Sequence, residues 1–305
     1  MDYICTTDTE YIGGSLVADK IRIAVSQISP RLGDFKFNLE KHIEYTRKAK
    51  EGRADIVVFP ELGLTGYQVQ DMALDLAKTI DDPDIQTLVR QSQDIDIVFS
   101  FIEETKGHLF YISAVYASNG NIVHVHRKVF LPTYGMFDDK RYFASGESFD
   151  TFDTKFGCMG LLICEDAWHT TSPYLLALGG ARILIVSAAG PARSVTDVEY
   201  FGSQKFWREL LNLYSKLHGV IVVFVNRVGV EDGVSFFGGS AVIAPDGGWL
   251  LEAPVGTEGL YMAAADLRTI RRARYITPLL RDEQPRLVAS ELQRILTAKK
   301  GGLFE

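Results

Sequence analysis

The sequence predicts an α/β fold, and three features of the chain carry that prediction. Short apolar runs rich in β-branched residues recur at 21–26, 56–59, 97–101, 160–164, 183–187 and 220–225. They are mostly continuous rather than alternating, as expected of strands covered on both faces. Helical patterning falls between several of them. The clearest case lies within 199–218, where Trp207, Leu210, Leu211, Tyr214 and Leu217 form a stripe at three-to-four spacing. Ser172-Pro173 predicts a helix start just after the 160–164 run, and Gly179-Gly180 predicts its stop. Two hairpins break the alternation, one turning at Asn119-Gly120 and the other at Asp246-Gly247. A simple doubly wound sheet has no need of them. No linker, charge block or low-complexity stretch divides the chain, so residues 20–305 are read as one domain and residues 1–19 as an extension.

Bulk properties narrow the functional classes. The chain has 305 residues, 47% apolar and 23% charged, which leaves ample material for a core. No apolar stretch approaches the ~20 residues of a membrane-spanning helix, and the N-terminus lacks the basic start and apolar block of a secretory signal. Cys5, Cys158 and Cys164 are too few and scattered for a disulfide framework, which predicts a reducing, cytoplasmic setting. The net charge of −7 argues against nucleic-acid binding. The one basic cluster, DLRTIRRAR at 266–274, reads as a solvated helix face or a subunit contact.

Three apolar strands end abruptly in polar residues. IVVFPELGLTGY places Glu61 behind Pro60, VHVHRKVFLP places Lys128 at a strand end, and GLLICEDAWH does the same for Cys164. Singly, each has a plain structural reading: a solvated acid, half of an ion pair, a small buried filler. Strand ends of α/β proteins commonly face the ligand crevice, however, and an acid, an amine and a thiol are chemically complementary there. Glu165 and Asp166 follow the cysteine directly and would disfavour a thiolate unless their side chains turn away.

The blocks FPELGLTGY, HRKVFLPTYGMFDDKRYFASG and LLICEDAWH resemble the three signature blocks of the nitrilase superfamily of carbon–nitrogen hydrolases. Glu61 matches that family's general base, Lys128 its catalytic lysine and Cys164 its nucleophile, in the same order and at intervals of 67 and 36 residues. The resemblance runs from about residue 21 to RYITPLLRDEQP in the C-terminal region. LPTYGMFDDKRYF and CEDAW are most similar to the glutamine-hydrolysing domain of glutamine-dependent NAD synthetases. Those enzymes add an ATP-using domain with an SGGxDS-type loop; no such motif occurs here, so a stand-alone relative is expected.

Two departures stand out. Asp139 occupies the place of a second glutamate and is one methylene shorter. SAAGPARS, from Ser187 to Ser194, replaces the SASP typical of glutamine users, which makes glutamine a doubtful substrate.

The resemblance implies a four-layer α-β-β-α sandwich, often paired through helices into dimers or larger homo-oligomers. It also implies hydrolysis of a small linear amide through a Cys164 thioester, without metal or organic cofactor. In that scheme Lys128 and the Glu165 backbone N–H hold the oxyanion. Tyr67, Tyr134, Phe137, Trp168, His169 and Ser187 are candidates for the substrate pocket. Nitrile hydrolysis is the nearest alternative, although nitrilases usually read CWE where this chain has CED. A glutaminase or ammonia-donating subunit of a separate synthetase is another. A papain-like pairing of Cys164 with His169, and a metal held by His124 and His126 on one strand face, each lack a supporting third group.

Overall fold

The computed structural model describes residues 18–193 and 201–298. Most of the N-terminal extension, Cys5, Ser194 and Glu199 lie outside these residues. In chain order the strands are β1 (Lys20–Gln27), β2 (Ile56–Val58), β3 (Asp96–Glu104), β4 (Phe110–Ser118), β5 (Asn121–Arg127), β6 (Thr151–Thr154), β7 (Gly157–Ile163) and β8 (Ile183–Ala188). They continue with β9 (Ile221–Asn226), β10 (Val228–Glu231), β11 (Val234–Phe237), β12 (Ala241–Ile243), β13 (Trp249–Glu252) and β14 (Gly259–Asp266). One six-stranded sheet runs β14-β1-β2-β3-β4-β5 and a second runs β13-β12-β9-β8-β7-β6, with β10 and β11 forming a separate ribbon. The central pairs β1/β2, β2/β3, β7/β8 and β8/β9 are parallel, and the hairpins extend both sheets antiparallel.

Alternation along the strands produces the layers. In the first sheet Ile23, Val25, Ile56, Val58 and Val98 share one core with Leu161, Ile163, Ile185 and Val223 of the second sheet. Their neighbours Ala24, Val57, Ile97 and Phe99 face the other way, packing with Leu39, Ile85 and Leu88 of the helices Phe35–Glu51 and Pro83–Arg90. The second sheet carries the helices Thr171–Leu178 and Gly202–His218, which contribute Leu176, Trp207 and Leu211 to its core. Helix, sheet, sheet, helix is the predicted four-layer α-β-β-α sandwich. Among the described residues no helix is long and apolar enough to cross a membrane.

The local signals hold in most places. Asn119 (φ 52°) and Gly120 (φ 72°) both adopt the left-handed conformation of a tight hairpin turn, joining β4 to β5. Three expectations are corrected. The helix after the cysteine starts at Thr171, just ahead of Ser172-Pro173, because Thr170 already takes helical dihedrals. The three-to-four spacing within 199–218 predicts Leu217 in the apolar stripe, but it is 40% exposed; the stripe narrows to Trp207, Leu211 and Tyr214, and Leu217 shares the outer face with Leu213. The apolar run 160–164 predicts Cys164 as the last residue of a strand, yet β7 stops at Ile163 and Cys164 opens a turn of 3-10 helix.

Candidate active site

Glu61, Lys128 and Cys164 arrive at one place from three directions: the loop after β2, the end of β5 and the end of β7. Lys128 is fully buried and its ammonium donates to Glu61 Oε1 at 2.6 Å and to Asp139 Oδ2 at 2.7 Å. The second Glu61 oxygen accepts the Ala189 backbone N–H at 3.0 Å, just past β8. The Cys164 thiol belongs to the same buried cluster, where burial and the Glu61 charge raise its titration and the Ala189 N–H lowers it. A buried acid, ammonium and thiol, 67 and 36 residues apart in sequence, thus form one contiguous cluster.

Backbone shape delivers the thiol. Cys164 has φ 43°, a left-handed conformation that a residue with a Cβ adopts at a cost of about 1–3 kcal/mol. The abrupt turn from β7 into the 3-10 helix requires it. Asp166 stabilises this turn. Its Oδ1 accepts the backbone N–H groups of Val129 and Phe130 at 3.0 and 2.9 Å, and its Oδ2 accepts that of Ile163 at 3.1 Å. His126 Nε2 meets the same Oδ2 at 2.8 Å. One carboxylate therefore ties the cysteine turn to the segment that carries Lys128.

The two acids beside the thiol are both taken up by other partners, although the Glu165 charge still adds to the rise that burial causes in the thiol's titration. Asp166 is engaged as described, and Glu165 Oε2 accepts the Tyr134 hydroxyl at 2.9 Å while Oε1 lies 3.8 Å from His169 Nε2. His126 faces Asp166, and His124 stacks on Phe152 with ring centroids 4.5 Å apart.

Burial sets the electrostatics. It pushes the Glu61 carboxyl above the ordinary glutamate value; the Asp139 charge adds to that rise and the Lys128 charge opposes it. Burial and then the Glu61 charge push the Cys164 thiol well above the ordinary cysteine range, so the resting nucleophile is a thiol. For Lys128 burial acts in the opposite sense, but Asp139 and Glu61 outweigh it and hold the amine well above its usual value, fully charged.

The remaining predicted residues divide. Tyr67 donates to Asp139 Oδ1 at 2.7 Å, with its ring centroid 5.7 Å from the Lys128 nitrogen. Tyr134, Phe137 and Tyr67 stand ring against ring, at 5.5 Å for the first pair and 6.0 Å for the second. His169 stacks on Phe130 at 3.5 Å, and Trp168 packs edge-on to Trp207 at 5.7 Å and against Phe206 at 4.3 Å. Ser187 is 1% exposed and its hydroxyl donates to the Phe59 carbonyl at 3.0 Å. That bond ties β8 to the strand end before Pro60, so its hydroxyl is committed to joining the sheets. Sequence reasoning missed Asp166, read there only as an unwanted charge, and the Ala189 N–H, which no side-chain pattern announces.

Residues 22–275 match the carbon-nitrogen hydrolase family. The glutamine-dependent NAD(+) synthetase of Acinetobacter baylyi is 32% identical over 252 residues, covering 82% of this chain and 45% of that protein. The probable nitrilase C965.09 of Schizosaccharomyces pombe is 29% identical over 257 residues, covering 81% of this chain and 89% of that protein. Among solved structures, a carbon-nitrogen hydrolase from Helicobacter pylori G27 superposes with a TM-score of 0.81 at 27% identity, covering 90% of this chain and 98% of that one. The chain spans about half the length of the synthetases it matches. With its layers, its strand-end cluster and these likenesses together, the chain belongs to the carbon–nitrogen hydrolase family, the nitrilase superfamily.

Proposed function

We propose that the protein hydrolyses the C–N bond of a small linear amide through a thioester on Cys164. The observation that carries this reading is the buried Glu61 carboxyl, bonded at once to Lys128 and to the Ala189 N–H and in one electrostatic cluster with the Cys164 thiol. Because burial keeps the sulfur protonated, attack requires a base beside it. Glu61 takes the thiol proton as Sγ bonds to the amide carbon and the carbonyl π electrons move to oxygen. Lys128 has three donors and spends two on Glu61 and Asp139, which leaves one for that oxygen. The Glu165 backbone N–H is the second donor. Protonated Glu61 then gives its proton to the departing nitrogen, releasing ammonia or an amine and leaving the thioester. Water completes the cycle: Glu61 accepts its proton, the C–S bond breaks and the sulfur is reprotonated. The aromatic group of Tyr67, Tyr134 and Phe137 excludes water around the acyl group.

Intact-mass measurement during turnover tests the scheme. An acyl adduct is expected on the wild-type protein and none on Cys164→Ala; an active Cys164→Ala protein contradicts the reading. A second reading, delivery of the released ammonia to a separate synthetase, is favoured by the 32% identity to one half of an NAD(+) synthetase. Co-purification with an ATP-dependent ligase supports it. A parallel panel of nitriles tests nitrilase activity.

The reading extends to a homodimer or larger homo-oligomer in a reducing, cytoplasmic setting. Leu213, Leu217 and Leu279 line an apolar cavity of about 570 Å³, and the helix Pro285–Ala298 buries none of its residues. Large exposed apolar surface of this kind marks an interaction site. Light scattering on the purified chain reports its size.

A further inference from the structure

We propose that the ion pair Arg227–Glu231 positions the catalytic cluster by holding the far end of the loop that carries Glu61, although neither side chain bonds to a reacting group. The inference rests on the amide-hydrolase reading and adds both residues to it as positioning residues. Arg227 lies between β9 and β10 and Glu231 ends β10, away from the strand ends that carry the acid, the amine and the thiol. Both are buried, at 0% and 4% exposure, and the Arg227 guanidinium donates to Glu231 Oε2. The other carboxylate oxygen accepts the Tyr67 and Gln68 backbone N–H groups at 2.7 and 2.6 Å. Gly66 leaves room for this contact. It has φ 84°, and a Cβ there would come within 2.7 Å of Glu231 Oε2.

From Tyr67 the connection to the cluster is direct. Its hydroxyl donates to Asp139 Oδ1 and the other Asp139 oxygen holds Lys128, so hydrogen bonds lead from Glu231 through Tyr67 and Asp139 to the ammonium. Phe236 braces the same ring. It stands edge-on to Tyr67 at 6.3 Å, and the Arg227 guanidinium carbon lies 4.2 Å from the Phe236 centroid. The loop needs a hold at this end because Leu62, directly after Glu61, takes φ 48°, a left-handed conformation that persists only where its surroundings over-determine it. Stability alone does not account for the pair. A buried ion pair can often be replaced by apolar residues of similar volume without loss. Moreover, Arg227 Nε is buried with no acceptor among the described residues. What an apolar pair could not do is accept two N–H groups of the loop.

Alkylation of Cys164 by iodoacetamide tests the inference without a known substrate, because Sγ displaces iodide as Glu61 takes the thiol proton. The full-length protein is used, and peptide mass assigns the label to Cys164 rather than Cys5 or Cys158. Circular dichroism and urea midpoints check that each variant is folded. Glu61→Gln is expected to slow labelling by at least about tenfold. Arg227→Met/Glu231→Leu removes both charges and the acceptor, and is expected to slow it by about 10- to 100-fold, the cost of a ~1 Å misplacement. Arg227→Met/Glu231→Gln removes the same charges but leaves an amide oxygen for the Tyr67 and Gln68 N–H groups, and is expected to recover most of that loss. An ion pair serving stability alone would give the two double variants equal rates. Glu231→Asp keeps the charge and shortens the reach, and is expected to repeat the loss by a route that holds even if Arg227→Met/Glu231→Leu does not fold. Equal rates in the two folded double variants, or wild-type labelling in Glu231→Asp, overturn the positioning role and leave the hydrolase reading standing. Wild-type labelling in Glu61→Gln overturns the base assignment of that reading, and this inference with it.

Discussion

The Asp139 carboxylate reaches the Lys128 ammonium at 2.7 Å, although its side chain is one methylene shorter than the glutamate expected at that place. It does so because the short helix Asp139–Tyr142 begins at this residue and Tyr67 holds the other oxygen at 2.7 Å. Backbone position makes up the missing length. Asp139→Asn removes the second negative partner of Lys128 and loosens Tyr67. A 10- to 100-fold fall in kcat/KM is expected, comparable with the ~10²-fold cost of a ~1 Å misplacement. Steady-state ammonia release measures it, and an unchanged value contradicts a role for Asp139.

Glu61→Gln keeps the volume of the side chain and removes the base. The fold should persist by circular dichroism while turnover drops about 10²- to 10⁴-fold, the usual share of a general base. Near-normal turnover in the folded variant would remove Glu61 from the proton-transfer role.

The directions of the site's pKa shifts predict the pH profile. Glu61 must be ionised to accept the thiol proton, and its carboxyl titrates above the ordinary 4.5. Activity therefore falls as the pH drops through that raised value, giving an acid limb displaced upward from a free glutamate. Cys164 and Lys128 both titrate well above their ordinary values of 9.0 and 10.5, so neither produces an alkaline limb near neutrality. A kcat/KM profile with an acid limb at or below 4.5, or a decline between pH 7 and 8, contradicts this electrostatic picture.

Asp166 is fully buried and accepts three backbone N–H groups as well as His126. Asp166→Ala strands those donors in the interior, at a cost of about 3–5 kcal/mol. Urea unfolding should show a correspondingly lower midpoint, together with loss of activity because the Cys164 turn and the Lys128 segment part company. A midpoint within experimental error of wild type would show that the turn holds without this carboxylate.

His42 and His124 predict acid sensitivity. Burial lowers both imidazoles from 6.5 to about 4. His42 also hydrogen-bonds the Asn38 carbonyl and stacks on Phe59 at 4.1 Å. Because the folded pKa lies below the unfolded one, the stabilisation is fully present above pH 6.5. It is lost as the pH falls toward about 4. The loss for His42 is on the order of 3 kcal/mol when both states are protonated. Urea midpoints measured from pH 7 to 4 should fall over this window, less steeply in His42→Gln.

Much of the molecule was legible in the chain because the signals are local. Continuous β-branched runs favour strands covered on both faces, and Asn119-Gly120 favours a tight turn between two of them. Pro60-Glu61, Lys128 and Cys164 stood out because each ends an apolar run in a charged or reactive group, at strand ends where crevices form. Local signals in the sequence by itself determined the buried strands and the hairpins; the layer order and the choice of the three central groups followed from the resemblance of the three motif blocks to a known family.

Distances and directions were a different matter. Whether Glu165 and Asp166 burden the thiol depends on where their side chains point. Only the tertiary structure turned Asp166 toward Val129, Phe130 and Ile163, and Glu165 toward Tyr134. The same holds for Ser187, whose hydroxyl binds Phe59 from the opposite sheet, and for Arg193, brought beside Phe137 from 56 residues away. Hydrogen bonding across sheets has no period along the chain. The packing of two separately patterned layers decides it, and that packing decided how the acid, the amine and the thiol meet.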